Sequence, residues 1–307
     1  MKRKQVLASL TCAALLLAPS AAWADSTDLR LLVNDHYIGG SAEAGEAYIN
    51  DAGRTMIPLR LVNTALHYRT DWQPDGSIHL TNKTGTLDVT LQVGSANYTA
   101  NGQAGTFETL PTLKNDRTYL PARDFTELYG QIYWDNDSRT VWIYNGDAPT
   151  YCVLGNNLLR ATADGITPVA MPEGSDVSIF GKSDVIMQQR VIDGVGYVAI
   201  NYNNNHSQQC PLFRDDGDHM TKIATINGTS SFYVDGDTLY HTTGTSAGPW
   251  SDIIQPNVLR VTTIGGDTKT YTLDFAVNTC TLDMVDGQLI ATDSDGVQHV
   301  IDLESEK

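Results

Sequence analysis

The chain has 307 residues, with 36 acidic against 20 basic side chains, a formal net charge of −16 and 41% hydrophobic residues. That length allows two domains, each with a core of its own. An acid excess of this size argues against nucleic acid and anionic membrane surfaces as partners.

Residues 1–24 have the pattern of a secretory leader. Lys2-Arg3-Lys4 form a basic start, Val6 to Leu17 an apolar run, and Ala22-Trp23-Ala24 an A-x-A cleavage site. The run is too short to span a membrane, and no later stretch approaches a spanning helix. Loss of the leader removes three cations and takes the net charge to −19. The protein is therefore expected to be exported, either secreted or held at the cell envelope.

The next signal is a motif written twice, 63 residues apart: Arg54-Thr55-Met56-Ile57-Pro58-Leu59-Arg60 and Arg117-Thr118-Tyr119-Leu120-Pro121-Ala122-Arg123. In each copy a β-prone triplet runs into a proline, which donates no hydrogen bond and ends a strand or opens a helix. Leu59, Val62 and Leu66 then recur at helical spacing, as do Ala122, Phe125 and Tyr129. Each helix is followed by a hairpin pattern, Tyr68–Trp72 with Ser77–Thr81, and Gln131–Trp134 with Thr140–Tyr144. The expectation is two strand–helix–hairpin units that bury each other's apolar faces.

Arg54, Arg60, Arg117 and Arg123 could act as carboxylate clamps. The more economical reading is structural, because both copies of the unit require them; Pro58, Pro121 and Trp134 belong to the same frame. Trp142 and Tyr144 alternate with Val141 and Ile143, so the two pairs face opposite sides of one strand. If Val141 and Ile143 face the core, the aromatic pair either offers a platform for a glycan or packs beneath a second domain.

On these residues, Leu29 to Asn145 resembles the copper amine oxidase N-terminal-like domain, also called the stalk domain, of secreted bacterial proteins. Leu31-Leu32-Val33-Asn34, Leu91-Gln92-Val93-Gly94-Ser95, Asn101-Gly102, the doubled motif and Tyr133-Trp134-Asp135 carry the likeness. The resemblance implies an α+β fold and an appended, non-catalytic role. It implies no copper, because the metal and tyrosine-derived cofactor of those oxidases belong to a separate catalytic domain. That domain's His-x-His pair is absent here, and Asn201-Tyr202-Asn203 lacks the residues that flank its cofactor tyrosine.

After Pro149 the helical periodicity ends. A turn followed by an apolar pair recurs around Gly155, Gly194, Gly236 and Gly287, at spacings of 39, 42 and 51 residues, with a Gly/Ser/Pro-rich insertion from Gly244 to Pro256. This is near the 40–45-residue period of propeller blades. Cys152, Cys210 and Cys280 have no C-x-x-C spacing, which leaves one disulfide with a spare thiol, or three buried thiols. Asp215-Asp216-Gly217-Asp218 and Asp293-Ser294-Asp295-Gly296 read as turns rather than calcium loops.

The sequence thus predicts a leader (1–24), an α+β N-terminal domain of two strand–helix–hairpin units (25–147), and an all-β, propeller-like C-terminal domain (150–307). The expected role is a non-catalytic structural or recognition module with no cofactor and no metal. An envelope protein or a cell-wall glycan is the expected partner. A glycan-binding module using Trp142 and Tyr144, and an envelope hydrolase, are the alternatives.

Overall fold

A computed structural model describes residues 29–39, 45–124, 128–155, 157–171, 186–200, 209–246 and 254–303. The predicted leader and the Asn201–Asn203 segment lie outside them. In chain order the front half holds β1 (Arg30–Val33), β2 (His36–Ile38), β3 (Tyr48–Ile49), β4 (Thr55–Pro58) and helix α1 (Leu59–Ala65). There follow β5 (Arg69–Trp72), β6 (Ser77–Thr81), β7 (Asp88–Gln92), β8 (Asn97–Ala100), β9 (Gln103–Thr106), β10 (Thr112–Lys114), β11 (Arg117–Pro121), β12 (Gln131–Asp135) and β13 (Thr140–Tyr144).

The two motif copies lie side by side. β4 and β11 pair antiparallel, Pro58 opposite Tyr119 and Pro121 opposite Met56, at the centre of the sheet β10-β11-β4-β3. Each copy thus meets the other about a local twofold. The hairpins that follow go separate ways. β5 and β6 continue into the five-stranded meander β5–β9, whereas β12 and β13 recruit the N-terminal hairpin through a parallel pairing of β1 with β13. The front core lies among these sheets, with Ile57, Leu59, Val62, Ile78, Leu80, Leu91, Leu120 and Val141 all buried.

These pairings correct the predicted fold class. The chain is nearly all β, in seven small sheets among the described residues, and the α+β front half of two strand–helix–hairpin units is not formed. Only α1 is a complete α-helix among the described residues; behind Pro121 these show a 3-10 turn, Ala122–Asp124, and helical backbone at Leu128 and Tyr129. Residues 125–127, on which the second predicted helix depends, fall outside. The β-branched and aromatic segments on either side supply strands instead.

The second half is a series of antiparallel sheets, each built from consecutive strands. They are β14 (Thr150–Leu154), β15 (Asn157–Thr162) and β16 (Gly165–Pro168); then β17 (Ile186–Ile192), β18 (Val195–Ile200), β19 (Gln209–Asp215) and β20 (Met220–Asn227). Next come β21 (Phe232–Asp235), β22 (Thr238–Thr242), β23 (Val258–Thr263) and β24 (Thr268–Thr272), and last β25 (Thr281–Val285), β26 (Gln288–Thr292) and β27 (Gln298–Ile301). Gly155, Gly194, Gly236 and Gly287 each occupy the first hairpin turn of their sheet with positive φ. At Asp193-Gly194 and Asp286-Gly287 both central residues are left-handed, as a type I′ turn requires.

Consecutive sheets stack face to face through separate apolar clusters. Trp142, Tyr144 and Leu32 of the front half pack on Leu154, Leu159 and Ala161. Tyr151 and Leu158 pack on Val198 and Phe213, Leu212 and Ile223 on Phe232 and Leu239, and Leu259 on Leu282 and Ala291. Among the described residues no cluster joins the last sheet to the first. No helix of the described residues is long and apolar enough to cross a membrane.

Candidate functional site

Of the two readings of the aromatic pair, the packed one is what forms, and the glycan platform does not. Trp142 and Tyr144 are 0% and 1% exposed. The indole N–H of Trp142 donates to the Asn34 carbonyl at 2.6 Å, and the Tyr144 hydroxyl donates to the Ala148 carbonyl. Burial pushes the Tyr144 phenol up. The physical reason is that β13 is central in its sheet and covered on both faces: Val141 and Ile143 by the front core, Trp142 and Tyr144 by the sheet β14–β16. Trp134, on the edge strand β12, is 37% exposed.

The four motif arginines do not share one ligand position, although two of them meet at a carboxylate of the chain itself. Arg54, just before β4, and Arg123, just after β11, are brought together by the antiparallel pairing and both approach Glu108, at 4.0 and 3.5 Å. Arg60 lies over the Trp72 ring at 4.5 Å, and Arg117 donates to the Asn115 carbonyl at 2.8 Å. Pro58 ends β4 and caps α1, while Pro121 ends β11. Cys152, Cys210 and Cys280 are thiols not joined in a disulfide, and burial pushes the Cys210 pKa up to about 12. Asp215 and Asp293 accept backbone N–H groups within their own turns.

A different place gathers polar side chains. Between β20 and the sheet β21–β24 lies an open cleft of about 480 Å³, lined by Ile223, Ala224 and Thr225 on one side. His241, Arg260, Thr262, Thr268 and the β23–β24 turn line the other. Two cross-strand rows of the second sheet explain it. One runs Phe232, His241, Arg260, Thr270; the other Val234, Leu239, Thr262, Thr268. Each row starts apolar and buried at the inner strand and ends polar and exposed at the outer one. Twisted sheets that touch along their inner strands diverge along their outer ones, and the wedge between them is polar because its residues are.

The cleft is ordered internally. His241 is 5% exposed. Its Nδ1 faces the Thr242 carbonyl at 3.3 Å, which can only accept, so Nδ1 carries the proton and Nε2 accepts from the Thr262 hydroxyl at 3.4 Å. Thr262 in turn lies 2.9 Å from the Thr268 hydroxyl at the rim. Burial, assisted by Arg260 on the neighbouring strand, lowers the His241 pKa to about 4, so the imidazole is neutral near pH 7. On the facing wall the β19–β20 register slips between Leu212 and Phe213, leaving Ile223 as an extra residue. That bulge turns Ile223 and its neighbour Ala224 both toward the cleft.

Residues 37–143 match the family of the copper amine oxidase N-terminal domain. The match covers the front half and stops before β14. Among the described residues no group of three or more His, Cys, Asp or Glu side chains is placed to hold a metal ion, so they do not fit a copper centre. No curated protein matches the chain. Solved structures with some likeness include YjhT, 8% identical over 71% of this chain and 68% of that one, TM-score 0.30. Others are regucalcin, a calcium-binding protein from Agrobacterium tumefaciens (11%, 88% and 78%, 0.28), and an exo-β-1,3-galactanase from Phanerochaete chrysosporium (10%, 85% and 64%, 0.29). At these TM-scores the likeness carries no argument about fold or chemistry.

One sequence signal could have pointed to the cleft. A strand covered on both faces reads as a nearly continuous apolar run, and β23 breaks that run with Arg260 and Thr262 two residues apart. Without the pairing of β22 with β23, nothing in the sequence brings His241 beside them.

Proposed function

We propose that this is an exported, non-catalytic protein of the cell envelope, with the front half supporting the stack of sheets behind it. The observation that carries this reading is the apolar joint at Trp142 and Tyr144, which packs the front sheet directly onto β14–β16. A joint with both large aromatics fully buried transmits position rather than allowing free reorientation. The match of residues 37–143 to a domain named for its N-terminal place in copper amine oxidases, and the leader pattern of residues 1–24, support it.

The test uses residues 25–307 incubated with isolated bacterial cell-envelope material. The expected result is sedimentation with that material and no release of soluble sugar or peptide. Failure to sediment overturns the envelope role, and released product overturns the non-catalytic one.

A further inference from the structure

We propose that the cleft between β20 and β21–β24 binds a small polyhydroxylated ligand, a mono- or disaccharide. The observations behind it are independent of the supporting role above. Thr225, Thr262, Thr263 and Thr268 line the cleft; Thr262 and Thr268, whose hydrogens go to His241 and to Thr262, offer acceptor oxygens to sugar hydroxyls, and Thr225 and Thr263 bring two further hydroxyl-bearing side chains. The neutral His241 imidazole orients the innermost of them: with Nε2 accepting from Thr262, the Thr262 oxygen is left to accept from Thr268, and the relay runs outward to the rim. The bulge side chains Ile223 and Ala224 form an apolar strip opposite, suited to the C–H face of a pyranose.

The size and charge of the cleft fit the same class. About 480 Å³ is at the small end of cavities that enclose compact organic ligands. No carboxylate lines the cleft and its one charged side chain is Arg260, so a cation is not the occupant the lining suits, and the phosphate arm of the test below separates a simple anion from a saccharide. The threonines have a local origin as well. Thr262 and Thr268 end the cross-strand row whose inner members, Val234 and Leu239, help hold the sheets together. The rigid part of the interface therefore positions the polar part, and the ligand would meet a preformed surface.

Saturation-transfer NMR on residues 25–307 with glucose, N-acetylglucosamine, cellobiose and inorganic phosphate tests the assignment. The expected result is transfer to at least one saccharide, with a Kd of about 1 mM, and none to phosphate. The double variant Thr262→Val, Thr268→Val should weaken binding about tenfold while Tm stays within a few degrees of the parent. His241→Gln, which keeps a polar side chain, should weaken it less. Sedimentation with envelope material should persist in the double variant, so the cleft assignment and the supporting role can fail separately. No transfer to any of the three saccharides, binding of phosphate in their place, or undiminished saccharide binding by the double variant overturns the proposal.

Discussion

His241 is held neutral by burial against the preceding sheet, with the Arg260 guanidinium on the neighbouring strand adding to the cost of a second charge. Its folded pKa of about 4 lies below the ordinary 6.5, so the unfolded chain binds the proton more tightly. The stability it contributes is therefore complete above pH 6.5 and is lost as pH falls toward 4, by up to roughly 3 kcal/mol. Urea midpoints at pH 7 and pH 4 should fall further for the native protein than for His241→Gln; equal falls would show that His241 is not buried as described. The lowered aspartates, among them Asp75 and Asp216, and the raised His219 are shared by both proteins, so the comparison with His241→Gln isolates the buried histidine. At this scale the sequence was partly legible. Alternation along β13 correctly put Trp142 and Tyr144 on one face, but exposure depends on what covers that face, and a 20-residue view contains no information about β14–β16.

Single elements are joined by arginine side chains that cross from sheet to sheet. Arg160 of β15 donates to both carboxylate oxygens of Asp215 in β19, at 3.0 and 2.9 Å, and the Tyr151 hydroxyl donates to the same carboxylate at 2.5 Å. Arg190 of β17 donates to the Phe232 and Leu282 carbonyls, each at 2.6 Å, and pairs with Asp283, so it ties three consecutive sheets. With the Asp215 side chain only 5% exposed, removing it strands Arg160 and Tyr151 beside an empty acceptor site. Asp215→Ala is expected to cost about 3 kcal/mol, at the low end for a broken buried pair because Arg160 keeps some solvent contact. A double variant, Arg160→Met with Asp215→Leu, should recover much of it. Chemical denaturation measures both, and an Asp215→Ala protein of full stability would refute the clamp. Neither pairing could be read from the sequence, since the partners lie 55 and 93 residues apart and nothing local distinguishes these arginines.

At the scale of the molecule, the described residues of the two halves share one strand as their joint. The front core reaches β13 from one side and the cluster of Leu154, Leu159 and Ala161 reaches it from the other. One cooperative unfolding transition is therefore expected, coincident by near-UV and far-UV circular dichroism, with Trp142→Ala shifting it as a unit by about 3–5 kcal/mol. Two transitions, with only the first moved by that substitution, would mean that the halves fold separately and that the joint is loose. What the sequence determined unaided is the rhythm of short strands and tight turns. A left-handed backbone at Gly194 or Gly287 and a strand end at Pro58 or Pro121 are demands of a few adjacent residues. Only the tertiary structure decided that the two motif copies pair with each other, that β1 joins β13 in parallel, that β13 is buried twice over, and that a polar wedge opens at His241. Each of these depends on contacts between segments far apart in the chain, whose free energy appears only when both surfaces are brought together.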